Sequence, residues 1–332
     1  MMCASLAVLA CTKTETSFDY PEQITFAPVA KNVTKAAVAV GSAPTSSLIV
    51  SANAGNVGVT SAQCTQEYFS EVTFNQEGST GVFAATDCYW PNVQYLSFAG
   101  VTASEGVSDS NVSIDVDKNE IVITNYYQPQ FNVENNDLMW FPSTTPVGKD
   151  TPTIEVNMYH ACSWLVFNFK GDAVSGGTNP WKILSVDLTK LSDKETATIN
   201  GAEIEWSTTG TKQSYNVYTA QTIADAYGNS VALVLKNCST GGSGSPVSVA
   251  QDIVLVIPQT PCELSVTYQY LSKAGTTVTE TAKASLDYST PANAWVAGTK
   301  YVYNVTIGAT PIKIDANAGE WTPGSGSLDK TM

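Results

Sequence analysis

The sequence predicts an all-β fold, arranged as two β-sandwich domains in tandem, and three observations lead there. Apolar residues recur with period two or in short runs, and helical periodicity is scarce. Val, Thr, Tyr and Ser dominate these runs, which suits pleated, half-buried surfaces, and Gly, Pro, Asn and Asp punctuate them. The length of 332 residues exceeds what one core usually serves, so roughly two units of about 150 residues are expected.

The elements follow in order. Ile24-Thr-Phe26 is the first strand, ended by Pro28. Val112–Val116 and Glu120–Thr124 form a hairpin over a turn at 117–119. The acidic spacing there has the start of a calcium loop. It lacks the glycine at the sixth position, however, and Tyr126 stands where the bidentate Glu belongs. Trp164–Phe169, Val231–Leu235, Ile253–Ile257, Leu264–Tyr270 and Tyr301–Ile307 read as further strands, with one short helical turn within Thr219–Tyr227. Pro142, Pro146, Gly148 and Pro152 mark a boundary, giving domains at 11–150 and 151–332 after a leader at 1–10. The Gly/Ser-rich stretch 239–246 is an exposed loop, and the tail beyond Pro323 a loose end.

Composition narrows the function. Charged residues are 14% and hydrophobic residues 43%, enough apolar material for real cores. The net charge is −14, and all sixteen cations are lysines. Such a chain repels phosphate backbones and lacks the arginine that best reads guanine edges, which argues against nucleic acid as a partner. With His160 the sole histidine, histidine triads and histidine-rich metal sites have little to work with.

The N-terminus runs apolar from Ala4 to Ala10, reaches Cys11, then turns polar at Thr12-Lys-Thr-Glu15. This looks like a bacterial lipoprotein signal in which Cys11 is lipidated and becomes the mature N-terminus. No later run reaches the roughly 18 apolar residues of a spanning helix. Cys64, Cys88, Cys162, Cys238 and Cys262 remain. By separation Cys64/Cys88 and Cys238/Cys262 are natural disulfide pairs, although sequence does not fix connectivity. Cys162, in an apolar strand, reads as a buried small hydrophobe.

Four motifs then occur in order: Ile24-Thr-Phe26 with Val33-Thr-Lys35; Tyr89-Trp90-Pro91 with Tyr95-Leu96-Ser-Phe98; Asp137-Leu-Met-Trp140 with the His160–Phe169 run; and Trp295–Ile307 with Ile312-Lys-Ile314 and Trp321. This order, after a lipobox, resembles the fimbrillin family of Bacteroidetes, which includes lipoprotein pilins and tip or accessory subunits. The resemblance implies two transthyretin-like (Ig-like Greek-key) sandwiches in tandem. It implies export as an outer-membrane lipoprotein through Cys11, a place in a cell-surface fimbrium and a role in adhesion. It implies other fimbrial subunits as partners, together with host or bacterial surface ligands, and neither cofactor nor catalysis.

Assembly in the family proceeds by strand exchange. A protease removes the first strand, and a strand from a neighbour, usually C-terminal, fills the groove. Ile24 and Phe26 are the inward pair of the removable strand. Ile312 and Ile314 share one face of the donor candidate, which ends at Trp321. That face is short and the tail Gly/Ser-rich, so a tip, accessory or anchor subunit fits as well as a shaft subunit. Arginine-specific maturation is impossible without arginine; Lys31 and Lys35 are the basic alternatives.

Other readings were weighed. His160 reads as a hydrogen-bonded strand residue, because a catalytic role needs an adjacent nucleophile and an orienting acid. No carboxylate stands in a recognisable catalytic context. Most tryptophans read as core, but Trp181 and Trp206 stand among polar neighbours, where an indole can stack on a sugar ring. A surface lipoprotein with a glycan-binding role is the alternative function.

N-terminal sequencing of the surface-assembled protein tests the removal step. A start between residues 31 and 47 is expected if the first strand has been cut away, and a start at Cys11 rules removal out.

Overall fold

The computed structural model describes residues 22–30, 47–55, 64–91, 95–104, 106–127, 137–151, 153–171, 181–192, 194–207, 209–219, 233–235, 247–248, 254–272, 274–286, 294–307 and 313–320. Among these, every regular element is a strand: β1 Gln23–Ala30, β2 Leu48–Gly55, β3 Gln66–Gln76, β4 Phe83–Tyr89, β5 Tyr95–Thr102, β6 Val112–Asp115, β7 Glu120–Tyr127, β8 Met139–Phe141, β9 Thr153–His160, β10 Ser163–Gly171, β11 Trp181–Ser192, β12 Lys194–Asn200, β13 Glu203–Trp206, β14 Lys212–Thr219, β15 Leu233–Leu235, β16 Val247–Ser248, β17 Val254–Val256, β18 Glu263–Leu271, β19 Thr277–Ser285, β20 Thr299–Ile307 and β21 Lys313–Glu320. The all-β expectation therefore holds for the described residues. The helical turn expected within Thr219–Tyr227 falls outside them beyond Thr219.

Two cores organise the chain. Around the first, β1-β4-β3-β2-β5-β8-β9 closes on itself, and the sheet β13-β12-β7-β6 lies against it. The second lies between the sheet β16-β10-β20-β21, with β17 also on β10, and the sheet β14-β11-β18-β19, with β15 on β11. Period-two burial produces these layers. In β20, Tyr301, Tyr303, Val305 and Ile307 are buried and the residues between them half-buried, so one side of the strand fills the second core. β17 and the first residues of β10, Ser163 to Leu165, are buried on both sides. Trp164 and Leu255 belong to the first core, while Leu165, Val254 and Val256 belong to the second. The continuous apolar runs there reflect two covered faces rather than one.

The cores do not divide at residue 150. The loop 142–152 joins β8 to its antiparallel neighbour β9 inside the first barrel, with Trp140 opposite Tyr159. Leu96 and Val147 exchange backbone hydrogen bonds at 2.9 Å, and the Ser143 hydroxyl donates to the Val116 carbonyl at 2.7 Å. Later still, β12 returns to the first core to pair with β7, bringing Ala197 and Ile199. Proline and glycine mark a turn whether it links domains or adjacent strands, and composition cannot separate the two.

Three local expectations also change. β1 does not stop at Pro28. It runs on to Ala30, paired parallel with β9, after its antiparallel pairing to β4 has ended at Phe26 opposite Phe83. A proline is tolerated where a strand is paired on one side only. Cys64 and Cys88 do not form a disulfide; with Cys162 and Cys262 they are free, buried thiols, and Cys238 lies outside the described residues. Cys162 is buried as expected but lies in the corner between β9 and β10 rather than within a strand. The expected hairpin at Asp115–Glu120 is present as β6–β7, with Asn119 in the left-handed region at φ 56°. Lys118 there reaches Asp115 at 2.7 Å.

Phe26 is the anchor of β1. It is fully buried, with ring centroids 5.0 Å from Phe74 and 5.2 Å from Phe98, both edge-on, and 6.0 Å from Phe141. Replacing Phe26 with Ala should destabilise the protein by about 3–5 kcal/mol, the usual cost of removing a buried phenyl ring. Urea unfolding measures it; a loss below about 1 kcal/mol would show that β1 does not pack as described.

Candidate functional site

The first site is the slot that β1 occupies. Ile24, Phe26 and Pro28 point inward and are buried, while Gln23, Thr25 and Ala27 alternate outward and are half-buried. Burying Ile24 and Phe26 contributes roughly 1.5–3 kcal/mol each. The strand bridges two others, antiparallel to β4 and parallel to β9. Side chains tie it further: the Gln23 amide donates to the Ala85 carbonyl at 2.8 Å, and the Thr25 and Thr153 hydroxyls lie 3.0 Å apart. Without β1, the edges of β4 and β9 and the rings of Phe74, Phe98 and Phe141 would face an empty slot.

At the other end of the chain, β21 lies antiparallel on β20, from Lys313 opposite Thr306 to Glu320 opposite Thr299. Ile314 is half-buried and packs against the second core. The segment read as a donor therefore lies on its own molecule as the outermost strand of its sheet. Ile312 and Trp321 fall outside the described residues, as do Cys11, Lys31 and Lys35.

Where the two cores meet, a cluster of polar groups is buried. His160, ending β9, holds its Nδ1 2.9 Å from Asp137 Oδ2 and 3.1 Å from Oδ1, with both side chains buried. Asp137 was legible only as part of the Asp137-Leu-Met-Trp140 motif; nothing in the sequence paired it with His160 across 23 positions. The Cys162 thiol lies 3.8 Å from the Tyr126 hydroxyl. Burial, and then the nearby Asp137 charge, push the Cys162 thiol up to about 12. A thiol held protonated is not a nucleophile, and this cluster reads as a buried polar seam held by the Asp137–His160 pair.

Beside it runs a groove of about 750 Å³, lined by Trp140, Tyr159 and Trp206 on one side and by the segment from Ala294 to Gly298 on the other. Tyr159 stacks on Trp140 at 5.4 Å and 29°. Trp206 is half-buried against Tyr126 at 5.2 Å, and its indole N–H donates to the Ala161 carbonyl at 3.1 Å. The chain leaving β13 is fixed by buried Glu195, whose carboxylate accepts from the Ser207 hydroxyl and from the backbone N–H groups of Thr209 and Gly210. Of the two tryptophans read as glycan platforms, Trp206 reaches this groove. Trp181 opens β11 opposite Leu235, and its side chain lies outside the description. Trp140 reads as core in the sequence and is buried in the first core, whereas nothing in the sequence singles out Tyr159, between Met158 and His160.

A family model described as fimbrillin-like matches residues 12–321. The chain belongs to the fimbrillin-like family. Solved structures agree with this fimbrillin-like protein in fold. A fimbrial protein from Bacteroides vulgatus is 13% identical, with a TM-score of 0.59 over 90% of this chain and 99% of its own. A proposed cell adhesion protein from Bacteroides uniformis is 16% identical, with a TM-score of 0.51 over 90% and 99%. Another, from Parabacteroides distasonis, is 10% identical, with a TM-score of 0.51 over 92% and 98%. No curated protein sequence matches the chain.

The buried thiols of this fimbrillin-like protein give a pH test. Burial pushes Cys162 and Cys262 up to about 12, against 9.0 for an ordinary thiol. Because the folded values are raised, the stabilising contribution is complete below pH 9 and is lost as the pH climbs toward 12. Urea midpoints should fall across that window, less steeply in Cys162→Ala. Iodoacetamide should label both thiols only after unfolding.

Proposed function

We propose that this protein is a fimbrial subunit that assembles by β-strand exchange and serves adhesion at the cell surface. It would reach that surface as a lipoprotein anchored in the outer membrane through Cys11. The observation that carries the reading is β1: an N-terminal strand, apolar on its inner side, inserted between β4 and β9. The undescribed segment 31–46 joins it to β2, and that segment contains Lys31 and Lys35. Cutting there would leave β1 held by its ladder and by the Ile24 and Phe26 side chains alone. An incoming strand would replace both kinds of interaction. The donor is the C-terminal strand of a neighbouring subunit, which must first leave β20. Of its described side chains, half-buried Ile314 is the one that packs against the second core, a modest hold that suits a strand that has to detach. The partners are other fimbrial subunits.

The two cores are read as tandem transthyretin-like sandwiches. Facing sheets around the second core support this most directly, and the first closes into a barrel through β1. The role is mechanical and not enzymatic. Buried Glu195 caps the chain leaving β13, Asp137 and His160 pair with each other, and the Cys162 thiol stays protonated.

Absence of arginine supplies a clean test. A Lys35→Arg variant carries one site for an arginine-specific protease. After cleavage, the protein should form a concentration-dependent ladder of species that survive detergent without boiling, whereas the uncut protein stays monomeric. Cleaved protein that remains monomeric and folded, or a ladder formed equally without cleavage, would overturn strand exchange.

A further inference from the structure

We propose that the groove between the two cores binds a neutral oligosaccharide, with Trp206 as the stacking surface and Glu203 and Glu205 as acceptors for sugar hydroxyls. The groove is built rather than incidental. Its floor contains Trp295, whose indole N–H donates to the Tyr303 hydroxyl at 2.8 Å. It also contains buried Gln259, whose Oε1 accepts from Ser192 N at 2.9 Å and whose Nε2 donates to the Ile257 carbonyl at 3.1 Å. The Trp140 indole N–H is likewise taken, donating to the Gly201 carbonyl at 3.0 Å. The ring nitrogens are thus committed to the protein; Trp140 and Trp295 are buried beneath the groove, and the apolar surface it presents comes from half-buried Trp206 and Tyr159. That is the chemistry that receives the C–H face of a pyranose ring.

Polar groups stand on the rim: β13 is an edge strand, so the glutamates on one of its faces and Trp206 on the other both border the groove. Glu203 and Glu205 alternate along β13 and are both exposed, as is Thr260 on the facing rim. β13 is the outermost strand of its sheet, so backbone groups of the same strand also face outward. The volume of about 750 Å³ lies within the roughly 300–1,000 Å³ usual for small-ligand sites, and the mix of aromatic walls with few polar groups matches them.

Charge selects the sugar class. None of the described lining residues is a lysine, the chain has no arginine, and its net charge is −14. The nearby Lys212 ammonium is held by the Ser192 hydroxyl at 2.6 Å and by Gln259 Oε1 at 3.3 Å, so the two exposed carboxylates set the charge at the rim, repelling sialylated or sulfated glycans and accepting hydrogen bonds from neutral ones. A basic peptide laid along β13 is the competing occupant. The four-residue length of β13 gives such a peptide a short ladder, whereas the aromatic walls suit a sugar.

The test uses the whole protein with mannotriose, laminaritriose, chitotriose and maltotriose. Sialyllactose, a heparin disaccharide and an oligolysine peptide serve as charged probes. Tryptophan fluorescence and saturation-transfer NMR read binding. Saturable binding of at least one neutral trisaccharide, with weaker or no response to the anionic sugars, is expected. Trp206→Ala should weaken it roughly tenfold or more, the scale of one lost aromatic contact. Because Trp206 also packs against Tyr126, the paired variant Glu203→Gln with Glu205→Gln provides a second arm. Both residues are exposed, so its melting curve should match the parent while sugar affinity falls and sialyllactose is less disfavoured. The proposal is overturned if no neutral sugar binds, if anionic sugars bind better, if oligolysine displaces the sugar, or if the glutamine variant binds as the parent does. Ladder formation after cleavage does not pass through this groove, so either proposal can fail while the other stands.

Discussion

The insertion of Phe26 among Phe74, Phe98 and Phe141 is the contact on which the first half of the molecule depends. A β-barrel has no edges only while every strand is in place. β1 is the strand that closes this one, and Phe26 gives it its hold. The geometry around the ring is tight. Within β5, a side chain on Gly100 would meet the Phe141 ring at 2.7 Å and the Ile49 carbonyl at 2.8 Å. Phe141 therefore cannot be pushed aside cheaply, and the aromatic cluster that receives β1 is fixed from behind.

That arrangement reconciles two demands on the same strand. Its ladder and apolar face stabilise the folded subunit, while no disulfide ties the described thiols to one another, so among the described residues the first core is held by non-covalent contacts. Strand pairing is general in its backbone part and selective in its side-chain part. The slot holds β1 through a backbone ladder that is blind to sequence and through inward apolar groups at the spacing of Ile24 and Phe26.

Much of the fold could be read from the chain. β10, β17, β18 and β20 announced themselves by apolar residues, as did β1 by Ile24 and Phe26. β3, β14 and β19 did not: β19, Thr277–Ser285, carries mostly exposed Thr, Glu, Lys and Ser, a pattern with little apolar signal to detect. The stretch from Pro142 to Pro152 has the composition of a linker, yet it connects two strands, β8 and β9, that pair with each other. Parallel pairing of β1 with β9 links residues about 128 positions apart, and only tertiary packing specifies it. The groove was legible in one residue, Trp206, since its other walls come from β8, β9 and the segment 294–298, which sequence separates and the fold unites.

Terminal strands of this molecule are attached in a particular way. β1 runs parallel to β9 over six successive residue pairs, from Thr25–Thr153 to Ala30–Met158. After the corner at Ala161-Cys162, β10 runs parallel to β20 over eight, from Trp164–Lys300 to Gly171–Ile307, and β20 carries β21. Tension applied along these strands would pass through these pairs. Parallel neighbours pulled along their length share the load across all their hydrogen bonds at once, rather than opening from one end. With Trp164 of β10 in the first core and Leu165 in the second, a pull on one core is handed directly to the other.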